Sequence, residues 1–207
     1  MEPIALLLPS LAHGGAQKVF LEMAGYLAGE GRDVVFVSLD REGELIERIP
    51  KNLDVIYLDA GLSKLRWIKR IIQWFRLQKL IEKKGVTRII STITGMNVFT
   101  LSCFFFNKAI HVTVREANSL ENNSSILMLF LIQWLYPRAN RVICTSNYVR
   151  DQLLQFSKFK SNKVEMLPNP VDMKRIRVCA TEPYEYSKVI PLAGYRIVTI
   201  GRLVKQK

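Results

Sequence analysis

The sequence predicts an α/β fold, a Rossmann-like parallel sheet flanked by helices, with the truncated start of a second α/β domain behind it. Three observations predict this. Short unbroken apolar runs alternate with longer helical patterns, as strands buried on both faces of a parallel sheet require. A paired-glycine loop joins the first run to the first helix. A polar, proline-interrupted stretch then separates the series from one fresh apolar run near the end of the chain.

In order, Ile4 to Leu8 reads as the first strand, Pro9 to Gly15 as its loop, and Ala16 to Gly29 as a helix with Val19, Phe20, Met23 and Leu27 on one side. Val34 to Ser38 and Leu53 to Leu58 are the next strands. Ser63 to Lys84 is a long amphipathic helix, with Leu65, Ile68, Ile72 and Phe75 on one stripe and Ile71, Trp74 and Ile81 beside it. Arg88 to Thr92 is the fourth strand, Met96 to Phe106 a buried helix, and His111 to Val114 the fifth strand. The apolar stretch Ile126 to Tyr136 falls short of the roughly 18 to 20 residues that span a bilayer, and Pro137 ends it as a buried or surface-lying helix. Arg141 to Cys144 is the sixth strand, Ser146 caps a helix running to about Phe156, and Lys163 to Leu167 is the seventh strand. From Pro168 to Pro191 no periodicity is convincing, and Tyr195 to Ile200 begins a new strand. These boundaries divide the chain into an N-terminal Rossmann-like domain over 1–168, an interdomain linker over 169–194 and the truncated start of a second domain over 195–207.

Composition narrows the class. With 207 residues, 49% hydrophobic and 23% charged, the chain is neither disordered nor a multi-span membrane protein. Cys103, Cys144 and Cys179 lie far apart and read as reduced core residues. Glu2 and the early Pro9 argue against a secretory signal, so a cytoplasmic location is expected. The net charge of +12 is local, because Ser63 to Lys84 holds eight basic residues against Glu82 alone.

The residues able to carry chemistry follow strands. His13-Gly14-Gly15 offers close backbone approach and an anion-favouring helix start. Arg115, Glu116 and Asn118 follow the fifth strand, Asn169-Pro170-Val171-Asp172 the seventh, and Gly201-Arg202-Leu203 the last. An Arg beside a Glu serves equally as a structural ion pair, and a general base stays open among His13, Glu116 and His111, the last read as a packed or hydrogen-bonded histidine. No metal-ligand spacing is present, so no metal is expected.

In their order and separation, the glycine loop, Asn-Pro-Val-Asp and the ending Ile-Gly-Arg-Leu-Val-Lys-Gln-Lys resemble the family 4 glycosyltransferases of the two-Rossmann (GT-B) architecture. The resemblance implies transfer of a sugar, with retained anomeric configuration, from a UDP- or GDP-sugar to a lipid-linked or saccharide acceptor in surface polysaccharide or glycolipid assembly. It places Gly14, Gly15, Arg202 and Lys207 at the donor diphosphate, and Arg115, Glu116 and Asn118 at the acceptor. Most of the donor domain has no counterpart here, so the chain alone is expected to be inactive, whether a natural remnant or one half complemented by another chain.

In the basic helix, Lys64, Arg66, Trp67, Lys69, Arg70, Trp74 and Arg76 form the aromatic and cationic mixture of a peripheral helix on an anionic membrane. The competing class, a nucleic-acid-binding module, explains the charge but not the clustering of motifs behind strands at one sheet end.

Overall fold

The computed structural model describes residues 2–59, 65–120, 125–156 and 161–182. The chain divides into two compact units, Met1–Asn169 and Pro170–Lys207.

In the first unit seven strands form one sheet: β1 (Ile4–Leu8), β2 (Val34–Ser38), β3 (Val55–Tyr57), β4 (Arg88–Thr92), β5 (His111–Glu116), β6 (Arg141–Cys144) and β7 (Val164–Met166). All pairings are parallel, in the order β3-β2-β1-β4-β5-β6-β7. The helices are α1 (Gly15–Gly29), α2 (Arg66–Lys83), α3 (Thr94–Cys103), α4 (Ile126–Leu135) and α5 (Asn147–Phe156).

Alternation along the strands fills both faces. Leu6 and Leu8 of β1 join Phe36 under Phe20, Leu21 and Ala24 of α1. Ala5 and Leu7 turn the other way, into a cluster with Leu77 and Ile81 of α2, Met96 and Leu101 of α3, and Ile132 and Leu135 of α4. Each fully buried leucine stabilises the fold by roughly 1.5–3 kcal/mol before entropy is counted. Ser146 accepts from the Val149 N–H at 3.3 Å at the start of α5, as its sequence position predicts.

The second unit holds α6 (Met173–Thr181), inside the stretch that the sequence reads as an aperiodic linker. Met173, Ile176 and Ala180 fall at helical spacing over barely two turns, too short a pattern to stand out among the flanking prolines, and Met173, Ile176 and Val178 are exposed. The strand expected over 195–200 lies outside the described residues.

Three further expectations are corrected. In α2 the inward stripe is Lys69, Arg70, Gln73, Leu77 and Ile81; Leu65, Ile71 and Phe75 are exposed. The helix has apolar residues on most of its circumference, so pattern alone does not choose its buried side. Polar contacts choose it. Lys69 Nζ meets Asp40 at 2.9 Å and Asp59 at 3.1 Å, and Gln73, fully buried, donates to the Leu39 carbonyl at 2.7 Å and to Asp40 at 2.8 Å. His111 is exposed rather than packed, because it opens β5 at the amino edge of the sheet. Cys103 and Cys144 are buried and free, but Cys179 on α6 is exposed.

Candidate functional site

The chain winds outward from β1 through β2 and β3 on one side and through β4 to β7 on the other. The order therefore reverses between β1 and β4, and the loops at the carboxyl ends of those strands diverge around a crevice, the place where open α/β sheets bind ligands.

On one wall stands the loop after β1. Gly14 is the N-cap of α1, with extended backbone (φ −161°, ψ 151°) and no side chain capping the helix. The first-turn N–H groups thus have no side-chain cap, and a helix start of this kind favours an anion. Nothing lies within 4 Å of where a Cβ on Gly15 would stand. His13 precedes the pair and is exposed.

This loop is held from behind by the segment after β2. Asp40 donates its N–H to the Pro9 carbonyl at 3.1 Å, Leu11 to that of Glu42 at 3.0 Å, and Leu45 to that of Leu11 at 3.0 Å. Gly43 makes the crossing possible. Its φ of 118° disfavours any side chain, and a Cβ there would collide with the backbone of Leu11 and Ala12.

The other wall is built on β4 and β5. Glu116 has no exposed surface, and Arg115 keeps 7%. The Glu116 carboxylate accepts from Tyr136 Oη at 2.7 Å, from Thr94 Oγ1 at 2.9 Å and from the Asn118 N–H at 3.4 Å. Asn97, also fully buried, accepts from Ser91 Oγ at 2.8 Å and donates to the Arg115 carbonyl at 3.0 Å and to Tyr136 Oη at 3.2 Å. Burial pushes the Glu116 carboxyl above its ordinary range, against the lowering effect of Tyr136 and Thr94. The Tyr136 hydroxyl is driven well up by its own burial and by Glu116.

The Arg115 side chain turns away from Glu116. It donates to Thr92 Oγ1 at 3.0 Å and to the side-chain oxygen of Asn169, the last residue of the first unit. Desolvation lowers its pKa, with the Glu116 charge opposing. Between these groups Ile93 holds a positive φ of 74°, a strained conformation for a β-branched residue.

Of the site residues expected from sequence, His13, Gly14, Gly15, Arg115, Glu116 and Asn118 all stand at the carboxyl edge of the sheet, where β1, β4 and β5 are successive neighbours. His111 stands at the opposite edge. Arg202, Lys207 and Lys64 lie outside the described residues. Of these, His13, Gly15 and Asn118 are exposed, as is Asn169 beside Arg115; Glu116 sits behind them and fixes the Ala117–Asn118 turn. Sequence reading missed Gly43, Asn97 and Tyr136. The last lies in an apolar run, and only its pairing across 20 positions gives it a role. Among the described residues no group of three or more His, Cys, Asp or Glu side chains could hold a metal ion.

A doubly wound sheet with a glycine loop at its switch point defines a Rossmann-type ligand-binding domain. The chain belongs to Glycosyltransferase Family 4, whose model matches residues 13–175. It is 23% identical to a Campylobacter jejuni N-acetylgalactosamine-N,N'-diacetylbacillosaminyl-diphospho-undecaprenol 4-alpha-N-acetylgalactosaminyltransferase, covering 100% of this chain and 57% of that protein. Among solved structures it resembles Anabaena HepE in complex with UDP and glucose (TM-score 0.66, 15% identity, 84% of this chain and 46% of that one). It also resembles Acinetobacter baumannii MurG (TM-score 0.59, 13% identity, 85% and 48%). The chain thus spans about half the length of the proteins it matches.

Proposed function

We propose that this chain forms the acceptor-side half of the cleft of a retaining glycosyltransferase, which moves a sugar from a UDP-sugar to a saccharide carried on a polyprenyl diphosphate. The observation that carries the reading is the joint placement of the open α1 start, the Asn118 turn and Asn169 at the switch-point edge of a family 4 chain. The UDP named with HepE supports the donor class, and the diphospho-undecaprenol in the Campylobacter relative's name supports the acceptor class. In this reading Gly14 and Gly15 approach the donor diphosphate, whereas His13 and Asn118 face the acceptor. Glu116 is a positioning residue for Asn118, and Arg115 holds Asn169. Two buried free thiols, that of Cys144 pushed up to about 12 by burial, suit a reducing cytoplasm, and we place the protein at the cytoplasmic face of the membrane.

The test is binding and transfer with the purified chain. It is expected to bind a short-chain polyprenyl-diphosphate saccharide saturably, with Asn118→Ala weakening binding about tenfold, and to transfer no sugar from UDP-sugars. Absence of saturable saccharide binding would overturn the acceptor-side reading, most clearly if accompanied by salt-sensitive binding to RNA or DNA. Transfer by the chain alone would overturn its assignment as half a cleft.

A further inference from the structure

Beside the turn that carries Asn118 lies a pocket to which the cleft gives no role. It opens between α4 and α5, is lined by Leu120, Leu129, Gln152, Gln155 and Phe156, and has a volume of about 310 Å³. That volume stands at the lower end of the range for small-molecule sites. Its apolar residues come from three directions: Leu120 from the chain just after the β5 turn, Leu129 from α4 and Phe156 from the end of α5.

The polar residues come from one direction. Tyr148, Gln152 and Gln155 succeed one another at four- and three-residue spacing, so they form a stripe on α5 beside the buried Val149 and Leu153. The Gln152 carbonyl accepts from Ser119 Oγ at 3.1 Å and from the Leu120 N–H at 3.3 Å, which ties the pocket to the chain that follows Asn118. Its amide nitrogen donates to Tyr148 Oη at 3.1 Å. A primary amide has two donors, and no described residue accepts the second. Gln155 is exposed, and its amide is bonded to no described residue.

This combination selects a ligand. The floor cannot hydrogen-bond, so a sugar hydroxyl set on Leu120, Leu129 and Phe156 would lose its water without return. An acyl or isoprenyl chain would suit the floor but strip water from the amides at the rim. An acetamido group meets both demands. Its methyl covers the apolar floor, its carbonyl accepts from the second Gln152 N–H, and its own N–H donates to the Gln155 oxygen. The Tyr148 ring, 59% exposed, stands at the start of α5 and offers an apolar face to the pyranose. Ser119 and Leu120 separate the pocket from Asn118, so the sugar it receives is a neighbour of the one that reacts.

We infer that the pocket between α4 and α5 binds the acetamido group of an acceptor sugar adjacent to the reacting one, with Leu120, Leu129 and Phe156 on its methyl and Gln152 and Gln155 on its amide. The inference rests on the acceptor-side reading and deepens it, because it makes this pocket the place where N-acetylation of the acceptor is read.

The test compares two water-soluble polyprenyl-diphosphate disaccharides that differ only in the inner sugar, which carries either an acetamido group or a hydroxyl. The purified chain should bind the acetamido compound about tenfold more tightly, the lower end of what a methyl-sized group gains in an apolar pocket. In saturation-transfer NMR the acetyl methyl should be the most strongly saturated group. The Leu120 and Leu129 amides already have hydrogen-bond partners, so occupancy is read on the ligand rather than by hydrogen exchange. Gln155→Ala and Leu129→Asn should each lower the preference to about threefold or less without weakening the hydroxyl compound. Gln155 is exposed, so its replacement leaves the fold alone, and unchanged thermal unfolding checks the Leu129 variant. Equal binding of the two compounds overturns the inference and leaves the acceptor reading standing, whereas absence of binding by either overturns both. A preference that neither substitution alters also overturns the inference. Binding that grows with polyprenyl length, falls in Leu129→Asn and ignores the acetyl group would assign the pocket to the lipid instead.

Discussion

Two buried amides lie near the carboxyl edge of the sheet, one on each side of β1, and they work differently. Gln73 of α2 ties its helix to the end of β2 beside Asp40, whose side chain keeps 14% exposure and faces the cations Lys69 and Arg70. Asn97 of α3 sits beside Glu116, which is fully buried and receives hydroxyls and a backbone N–H, while the Arg115 guanidinium goes to Thr92 and Asn169. The first arrangement docks a helix and uses basic charge to do so. The second holds a carboxylate in a dry place to fix a turn that faces the crevice, and its failure should be felt both in the fold and at the site.

Removing the dry carboxylate should have the largest effect. Glu116→Ala leaves Tyr136 and Thr94 without their acceptor and opens a cavity, and urea unfolding should show a loss of about 3–5 kcal/mol. Gln73→Leu keeps the packing but leaves the Leu39 carbonyl unpaired, for a loss of about 1–2 kcal/mol. Lys69→Met should cost less than about 1 kcal/mol, and high salt should shrink the difference. Asp40, then Asp59, raises the Lys69 pKa against desolvation. If Lys69→Met proved as damaging as Glu116→Ala, the contrast between the two clusters would fail.

The pH dependence sharpens the same contrast. The folded-state pKa of Glu116 is raised, so the folded state binds the extra proton between the ordinary carboxylate pKa and the raised one. The associated stability is fully present below the ordinary value and is lost as pH rises through the raised one. Glu116→Gln removes this titration. The stability of the variant relative to the parent should therefore be flat at low pH and climb across that interval, as urea unfolding at stepped pH would show; a flat difference throughout would place the Glu116 pKa in its ordinary range.

Much of the first unit is legible in the sequence because a parallel sheet writes its strands as continuous apolar runs: β1, β2, β4 and β6 have the bounds expected of them. The orientation of α2 is not legible, since Trp67, Ile71 and Phe75 look as core-like as Leu77 and Ile81 until Asp40 and Asp59 pull the basic side inward. Strand order puts Gly14, Gly15, Arg115, Glu116 and Asn118 at one edge, so that much of the site was readable. That Glu116 serves from behind depends on Tyr136 and Asn97, which reach it across 20 and more positions in the chain. Gly43 shows the same limit: nothing adjacent in sequence reveals that its loop crosses that of Leu11.

The acceptor-side assignment is tested most directly by locating the ligand. Hydrogen exchange of the purified chain, with and without a water-soluble polyprenyl-diphosphate saccharide, should show protection confined to the start of α1 and the turn after β5, residues 13–18 and 116–119. Protection at the amino edge of the sheet around His111, or no change at saturating ligand, would contradict it.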